Sequence, residues 1–184
     1  FNMKKVLLML SHDVEDVEAL ATRALLVRAG IQVVTATFQR SLDIETAFGL
    51  KVHVDAHLDE LDMNTFDMLV IPGGKYVSET IDLHDKMQVL AKQFDALDKP
   101  IAAICAGPRF LGRAGLLEGI NFTAYPGSEK DVPNGHYHQD QKAMTDGRFI
   151  TARGAGCVYE FVTQIVSYLF DTSHAQALLE QIKH

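Results

Sequence analysis

The sequence predicts an α/β fold: a mostly parallel sheet with helices packed against it. Three observations carry this. Short apolar runs recur, at Val6-Leu7-Leu8-Met9-Leu10, at Met68-Leu69-Val70-Ile71 and at Ile101-Ala102-Ala103-Ile104, each bounded by polar or turn residues. Runs of that length suit strands buried on both faces. Segments of helical period lie between them, and a strand, helix, strand order predicts parallel neighbours joined by a right-handed crossover. Finally, Lys99 to Pro108 combines a strand, a tight turn at Gly107 and a helix start at Pro108, whose missing N–H costs nothing at the first helical position.

The first strand covers Lys4 to Leu10 and ends at Ser11-His12-Asp13. A helix is expected from about Glu15 to Ala29, with Asp13 as N-cap, Gly30 as stop and a stripe of Val17, Leu20, Ala21, Ala24, Leu25 and Arg28. Ile31 to Thr37 is the second strand. Residues 42 to 55 alternate as a β excursion, with a turn at Phe48-Gly49-Leu50 and a loop following. Phe66 to Ile71 is a buried strand ended by Pro72-Gly73-Gly74, and a helix from about Asp85 to Leu97 leads to the strand before Cys105. A further helix runs to about Gly115, then a short strand over Asn121 to Tyr125. Residues 127 to 142 are polar, with a turn at Pro133-Asn134-Gly135. Asp146-Gly147 turns into a strand at Arg148 to Thr151, and two helices close the chain, Val158 to Phe170 and Ser173 to Lys183.

Cys105 falls where strand becomes helix. Free N–H groups and the positive helix end favour thiolate over thiol there, and thiolate is the nucleophile. The arrangement is a nucleophile elbow with sulfur in place of a serine oxygen. A packed, inert thiol suits the same position. Glu18, one turn into the first helix, would have a raised pKa if it faced the apolar side, and could then share a proton with a thiolate. The bland alternative is an acid that favours the helix dipole. Gly73 and Gly74 let backbone approach a ligand closely, and an N–H there would pair with the Ala106 N–H as an oxyanion hole. An ordinary glycine turn is the alternative. His53 with His57, and His136 with His138, read better as exposed histidines than as metal ligands. Cys157, opening a late helix, reads as a small packed residue.

A chain of 184 residues suits one domain, here 3–184, with Phe1-Asn2 ahead of Met3 read as an added remnant. At 47% hydrophobic and 22% charged it has a soluble globular balance, and a net charge of −7 gives no support for binding nucleic acid or anionic membrane. No apolar run would span a bilayer and no leader pattern opens the chain. Two cysteines make no disulfide framework, which suits a reducing cytoplasm.

In order along the chain, Glu15-Asp16-Val17-Glu18, Arg28-Ala29-Gly30-Ile31, Pro72-Gly73-Gly74, Ala103-Ile104-Cys105-Ala106-Gly107-Pro108 and Arg153-Gly154-Ala155-Gly156 resemble the ThiJ/PfpI superfamily, in particular the branch of the parkinsonism-associated deglycase. The resemblance covers nearly the whole chain. It implies a flavodoxin-like sandwich, with helices on both faces of the sheet, that forms a homodimer. It implies a reactive Cys105, a protonated Glu18 bonded to it, and N–H groups of Gly74 and Ala106 facing an oxyanion, with no cofactor and no metal. Implied activities are conversion of glyoxals to hydroxy acids, repair of glycated protein or nucleotide, peroxide sensing and chaperone action.

Two positions depart from the pattern. Where that branch carries a histidine before a proline, Tyr125 precedes Pro126, and tyrosine, with a reference pKa of about 10, is a poor base at neutral pH. Where the protease branch has histidine after the cysteine stands Ala106, which argues against a Cys-His peptidase. His12, at the end of the first strand, is a candidate substitute base. The expectation is therefore an enzyme acting on small reactive carbonyls through Cys105 and Glu18. The alternative is a redox sensor or chaperone in which Cys105 oxidises to sulfinate without turnover. An amidotransferase-like relative is a weaker third.

Overall fold

The structure, a computed structural model, describes residues 3–184; Phe1 and Asn2 lie outside the described residues. Its centre is a seven-stranded sheet. From one edge to the other, the strands are β10 (Ala143–Asp146), β11 (Phe149–Ala152), β7 (Ile101–Ile104), β6 (Met68–Ile71), β1 (Lys5–Met9), β2 (Gln32–Thr37) and β5 (Ala56–His57). All neighbouring pairs are parallel except β10 with β11, a hairpin turned at Gly147. The parallel strands are apolar without alternation because both sheet faces are covered; every residue of β6, β7 and β11 is buried.

From β1 the chain steps outward to β2, then returns past β1 to β6 and continues through β7 to β11. Right-handed crossovers taken in opposite directions place their helices on opposite faces. Helix α1 (Thr22–Arg28) packs with α5 (Val158–Leu169), which also carries α6 (Thr172–Gln181). Helices α3 (Lys86–Ala96) and α4 (Pro108–Arg113) pack together. This is the mostly parallel, flavodoxin-like arrangement. Its strand order reverses between β1 and β6, and the crevice beyond their carboxyl ends is where such sheets hold their sites. An isolated antiparallel bridge, Val14 with Gly74, ties the two loops across that crevice.

The first helix differs from the expectation. It opens at Val17–Ala21 as a π turn before α1, and Asp13, at φ 64°, sits in the preceding loop rather than capping. Glu15 does the capping, its Oε2 accepting the Glu18 N–H at 2.7 Å. The buried row is Glu18, Ala19, Thr22, Leu25, Leu26 and Ala29, whereas Val17, Ala24 and Arg28 face solvent. Two polar residues, Glu18 and Thr22, interrupt the true stripe, so hydrophobicity selects the neighbouring row. Gly30, at φ +86°, ends the helix as expected.

The 42–55 excursion is a hairpin of β3 (Asp43–Glu45) and β4 (Lys51–His53), and the loop expected after it contains the edge strand β5. The strand expected over 121–125 is shorter, β8 (Asn121–Phe122), pairing with β9 (His136–Tyr137) from the polar stretch. Helix α2 (Lys75–Thr80), directly after the glycine pair, was not expected; six residues are too few to show a period.

Candidate active site

Cys105 directly follows β7 in the left-handed region, φ 64°, a conformation that L-residues adopt at a cost. The surroundings impose it. Its N–H donates to Ala152 O at 2.9 Å, continuing the β7–β11 ladder, and its C=O accepts the Tyr125 N–H at 2.9 Å. The chain then turns at once into α4, with Pro108 at the helix start. Gly107 is required by contact: a Cβ there would stand 2.7 Å from Ile71 O. The elbow expected from the sequence is therefore present, with the sulfur half-buried.

Glu18 meets it from the π turn. Its side chain is buried, its Oε1 accepts the Gly73 N–H at 2.8 Å, and its carboxyl lies beside the Cys105 thiol. The local excess of one residue in a π turn aims Glu18 inward while Val17 stays out. Burial raises the Glu18 carboxyl from 4.5 to about 7; the neighbouring Cys105 thiol opposes the rise, the Glu15 charge adds to it and the Gly73 N–H opposes it. Burial also pushes the Cys105 thiol up, and an ionised Glu18 pushes the same way, against the Ala106 N–H. The helix start alone thus does not make a thiolate here. Protonation of Glu18 removes one of the charges that oppose ionisation of the sulfur, while burial continues to oppose it.

Gly74, at φ +124°, lies against the 13–15 loop, where a Cβ would stand 2.5 Å from both Asp13 O and Glu15 N. Among the described residues, neither the Gly74 nor the Ala106 N–H is taken by a backbone carbonyl.

Tyr125 reaches the site through its backbone; its ring is 57% exposed and lies over Gly154. His12 is placed differently. Its Nδ1 accepts the Glu45 N–H at 3.0 Å, which leaves the proton on Nε2 and no free basic nitrogen. It lines a cavity of about 320 Å³ with Leu10, Phe38, Tyr76 and His84, and no described contact joins it to Cys105. His53 pairs with Asp43, His57 with Gln39 O and His138 with Asn121. Among the described residues no three His, Cys, Asp or Glu side chains are grouped to hold a metal ion. Cys157 is buried at the start of α5.

Sequence reasoning assigns no role to three residues. Glu15 holds the Glu18 N–H, and the spacing of Glu15 and Glu18 was the available signal. Ala152 receives the elbow N–H. Tyr76 donates its hydroxyl to Pro72 O, and nothing local to the sequence marks it.

Fold and site together define a flavodoxin-like α/β protein built around an elbow cysteine beside a buried carboxyl. Residues 4–168 match the DJ-1/PfpI family. A deglycase of Pyrococcus abyssi is 34% identical over 166 residues, 90% of this chain and 99% of its own length. The chain spans 44% of the longer DJ-1 homolog A of Arabidopsis thaliana, at 32% identity over 94% of itself. A glutathione-independent glyoxalase of Caenorhabditis elegans is 29% identical over 96% of this chain and 94% of its own. Among solved structures, a DJ-1 superfamily protein of Salmonella typhimurium is 29% identical with a TM-score of 0.91, covering 99% of each chain. Drosophila melanogaster DJ-1beta is 28% identical with a TM-score of 0.90, covering 98% of each. The chain belongs to the DJ-1/PfpI family.

Proposed function

We propose that this chain converts small reactive aldehydes, of the glyoxal class, to hydroxy acids without a cofactor, as a single domain over 3–184. The placement of the buried Glu18 carboxyl beside the elbow Cys105 carries the reading. The sulfur attacks the aldehyde carbon, and the carbonyl electron pair moves to oxygen as the C–S bond forms. The Gly74 and Ala106 N–H groups face that oxygen; one such donor is worth about 3 kcal/mol in transition-state stabilisation. Glu18 gives its proton to the oxyanion, then as carboxylate takes the proton from the former aldehyde carbon and returns one to the neighbouring carbon. The resulting thioester is hydrolysed by water, which releases the hydroxy acid and restores the thiol. A carboxyl raised to about 7 exchanges protons readily at neutral pH. Deglycase and glyoxalase names among relatives support the reaction class.

The test is methylglyoxal turnover by wild type beside Cys105→Ala and Glu18→Gln, with buffer-catalysed loss subtracted. Steady lactate production that both variants abolish is expected. No turnover, with Cys105 still alkylated, would sink the reading for this substrate.

One observation favours a second reading. No imidazole contacts Cys105 among the described residues, and the Tyr125 ring is largely outside the site. A sensor needs no second base. Two equivalents of peroxide would oxidise the sulfur to sulfinate with release of two waters, and Glu18 would hold the product by its proton. A mass gain of two oxygens at Cys105 under mild peroxide, without carbonyl turnover, would select it.

A homodimer is the assembly this reading expects. Val17, Phe48 and Leu50 are exposed, and Asp16 ties their segments together through Thr46 Oγ1 at 2.6 Å and the Phe48 N–H at 3.1 Å. Sedimentation velocity checks it. The two free cysteines suit a reducing compartment such as the cytoplasm, and among the described residues no helix is long and apolar enough to cross a membrane.

A further inference from the structure

The Pro72–Gly73 peptide is gripped at both ends. On one side the Gly73 N–H donates to Glu18 Oε1 at 2.8 Å. On the other, the Tyr76 hydroxyl donates to Pro72 O at 2.5 Å. The two bonds share one planar amide, so they form a single chain from phenol through peptide to carboxyl. Tyr76 is 3% exposed, its N–H is directed to Asp13 O at 3.4 Å, and its ring packs on Phe110 at 5.9 Å between centroids. The ring is therefore fixed independently of its hydroxyl.

We propose that Tyr76 is a positioning residue for the Glu18–Cys105 pair: by holding the Pro72 carbonyl, its hydroxyl orients and polarises the peptide whose N–H holds Glu18. The amide transmits both effects. Its plane cannot rotate without breaking one bond, and a donor on the oxygen makes the N–H a stronger donor at the other end. A tighter N–H bond favours the ionised carboxyl. Tyr76 keeps its own proton for this purpose, because burial first, and then the charges of Glu18 and Cys105, hold the phenol well above its usual range. The hydroxyl is a donor throughout the working pH range.

The inference rests on Glu18 being the group that carries the proton, and it concerns a residue two positions beyond the Pro72-Gly73-Gly74 turn, outside the reacting groups named above. Its readout is the titration of Glu18 itself, followed by isotope-edited infrared absorption of the carboxyl with Glu18→Gln as the blank. Wild type should titrate near 7. Tyr76→Phe should move the midpoint upward by about half a pH unit or more. Replacement of Tyr76 by 3,5-difluorotyrosine, a stronger donor, should move it downward. Phe110→Leu, which loosens the ring's packing and touches no hydrogen bond, should leave it unchanged. The proposal is overturned if Tyr76→Phe titrates with wild type, or if Phe110→Leu moves the midpoint as far. If Tyr76→Phe does not fold, the fluorinated protein decides, and a midpoint not below wild type overturns the proposal. Methylglyoxal turnover of the wild type, measured alongside, judges the carbonyl reading separately: its absence sinks that reading while the Glu18 midpoint still judges Tyr76.

Discussion

The Gly73 N–H donates to Glu18 Oε1, and the place where a side chain at position 73 would stand is already occupied. A Cβ there would lie 2.7 Å from Glu18 Oε1, 2.8 Å from Cys105 Cβ and 2.9 Å from Ala106 N. The glycine is what lets an acid, a sulfur and a backbone donor converge on one point.

Gly73→Ala is therefore expected to separate the pair. The methyl meets backbone and a hydrogen-bonded carboxyl, so the neighbours must move, at a cost of about 1–3 kcal/mol. Urea denaturation should show that loss, and carbonyl turnover should fall by at least about tenfold, because 1.4 kcal/mol of misplacement is a factor of ten. Unchanged turnover would mean that the convergence is not used.

Glu18 makes stability depend on pH in an unusual direction. Its folded pKa, about 7, lies above the ordinary 4.5, so the folded protein binds the proton more tightly than the unfolded chain. That contribution is complete below pH 4.5 and is lost as pH rises through 7. It amounts to about 3 kcal/mol, since each pKa unit is about 1.4 kcal/mol. The stability difference between wild type and Glu18→Gln, followed by denaturation from pH 4.5 to 8, should shrink or reverse by about that amount in favour of the amide. A flat difference would show that Glu18 is not held protonated.

Much of this was readable from the residues. The apolar runs at 6–10, 68–71 and 101–104 located the central strands because both sheet faces are covered. The sequence Cys105-Ala106-Gly107-Pro108 located the elbow because glycine and proline there admit few backbones. The inward face of the first helix was not readable, because burying Glu18 and Thr22 breaks the very pattern used to find a buried face. Glu18 was identified as a candidate, but its neighbours on the helix were assigned one row off. The brace from Tyr76 to Pro72 was hidden for a different reason: it lies in a six-residue helix with no period, and its meaning depends on a peptide bond whose other end serves Glu18.

Backbone strain at the elbow can be measured directly. Cys105 holds φ at 64°, where a residue with a Cβ is disfavoured by about 1–2 kcal/mol and glycine is not. Cys105→Ala and Cys105→Gly both lose the sulfur beside Glu18. The glycine variant should nonetheless be the more stable by about 1 kcal/mol in chemical denaturation. Equal stability, or a more stable alanine variant, would place the strain elsewhere.

Asp131 anchors the helix that follows the sulfur. Its two carboxylate oxygens receive Nε of Arg109 and Nε of Arg113, each at 2.5 Å, and Gly112 lies so close to Asp131 O that a Cβ would not fit. The two guanidiniums hold the carboxyl below its ordinary range against the burial that would raise it. Its stabilisation is therefore present above the unfolded value and is lost as pH falls through the folded one. Asp131→Asn should cost about 1–2 kcal/mol at pH 7 and little once the carboxyl is protonated in acid. A cost that persists unchanged at low pH would assign the loss to packing instead.

Position 125 tests whether the proposed carbonyl chemistry lacks a second base. The Tyr125 N–H is bound to Cys105 O, so the residue's place is set by backbone, while its ring leans over Gly154 toward solvent. A substitution there changes the side chain without disturbing the elbow. Tyr125→His would put an imidazole with a reference pKa of about 6.5 on the backbone that binds Cys105 O, where, turned inward from the course of the tyrosine ring, it is matched to proton transfer at neutral pH and a phenol of about 10 is not. General acid–base assistance typically contributes 10²–10⁴-fold, so methylglyoxal turnover at pH 7 should rise by at least about tenfold in Tyr125→His and stay near wild type in Tyr125→Phe. That pair of results would mean that Glu18 alone carries the proton in the natural protein and that a second base was the missing part. A large loss in Tyr125→Phe would instead make the phenol hydroxyl a hydrogen-bond donor to the substrate, and would move Tyr125 into the working site.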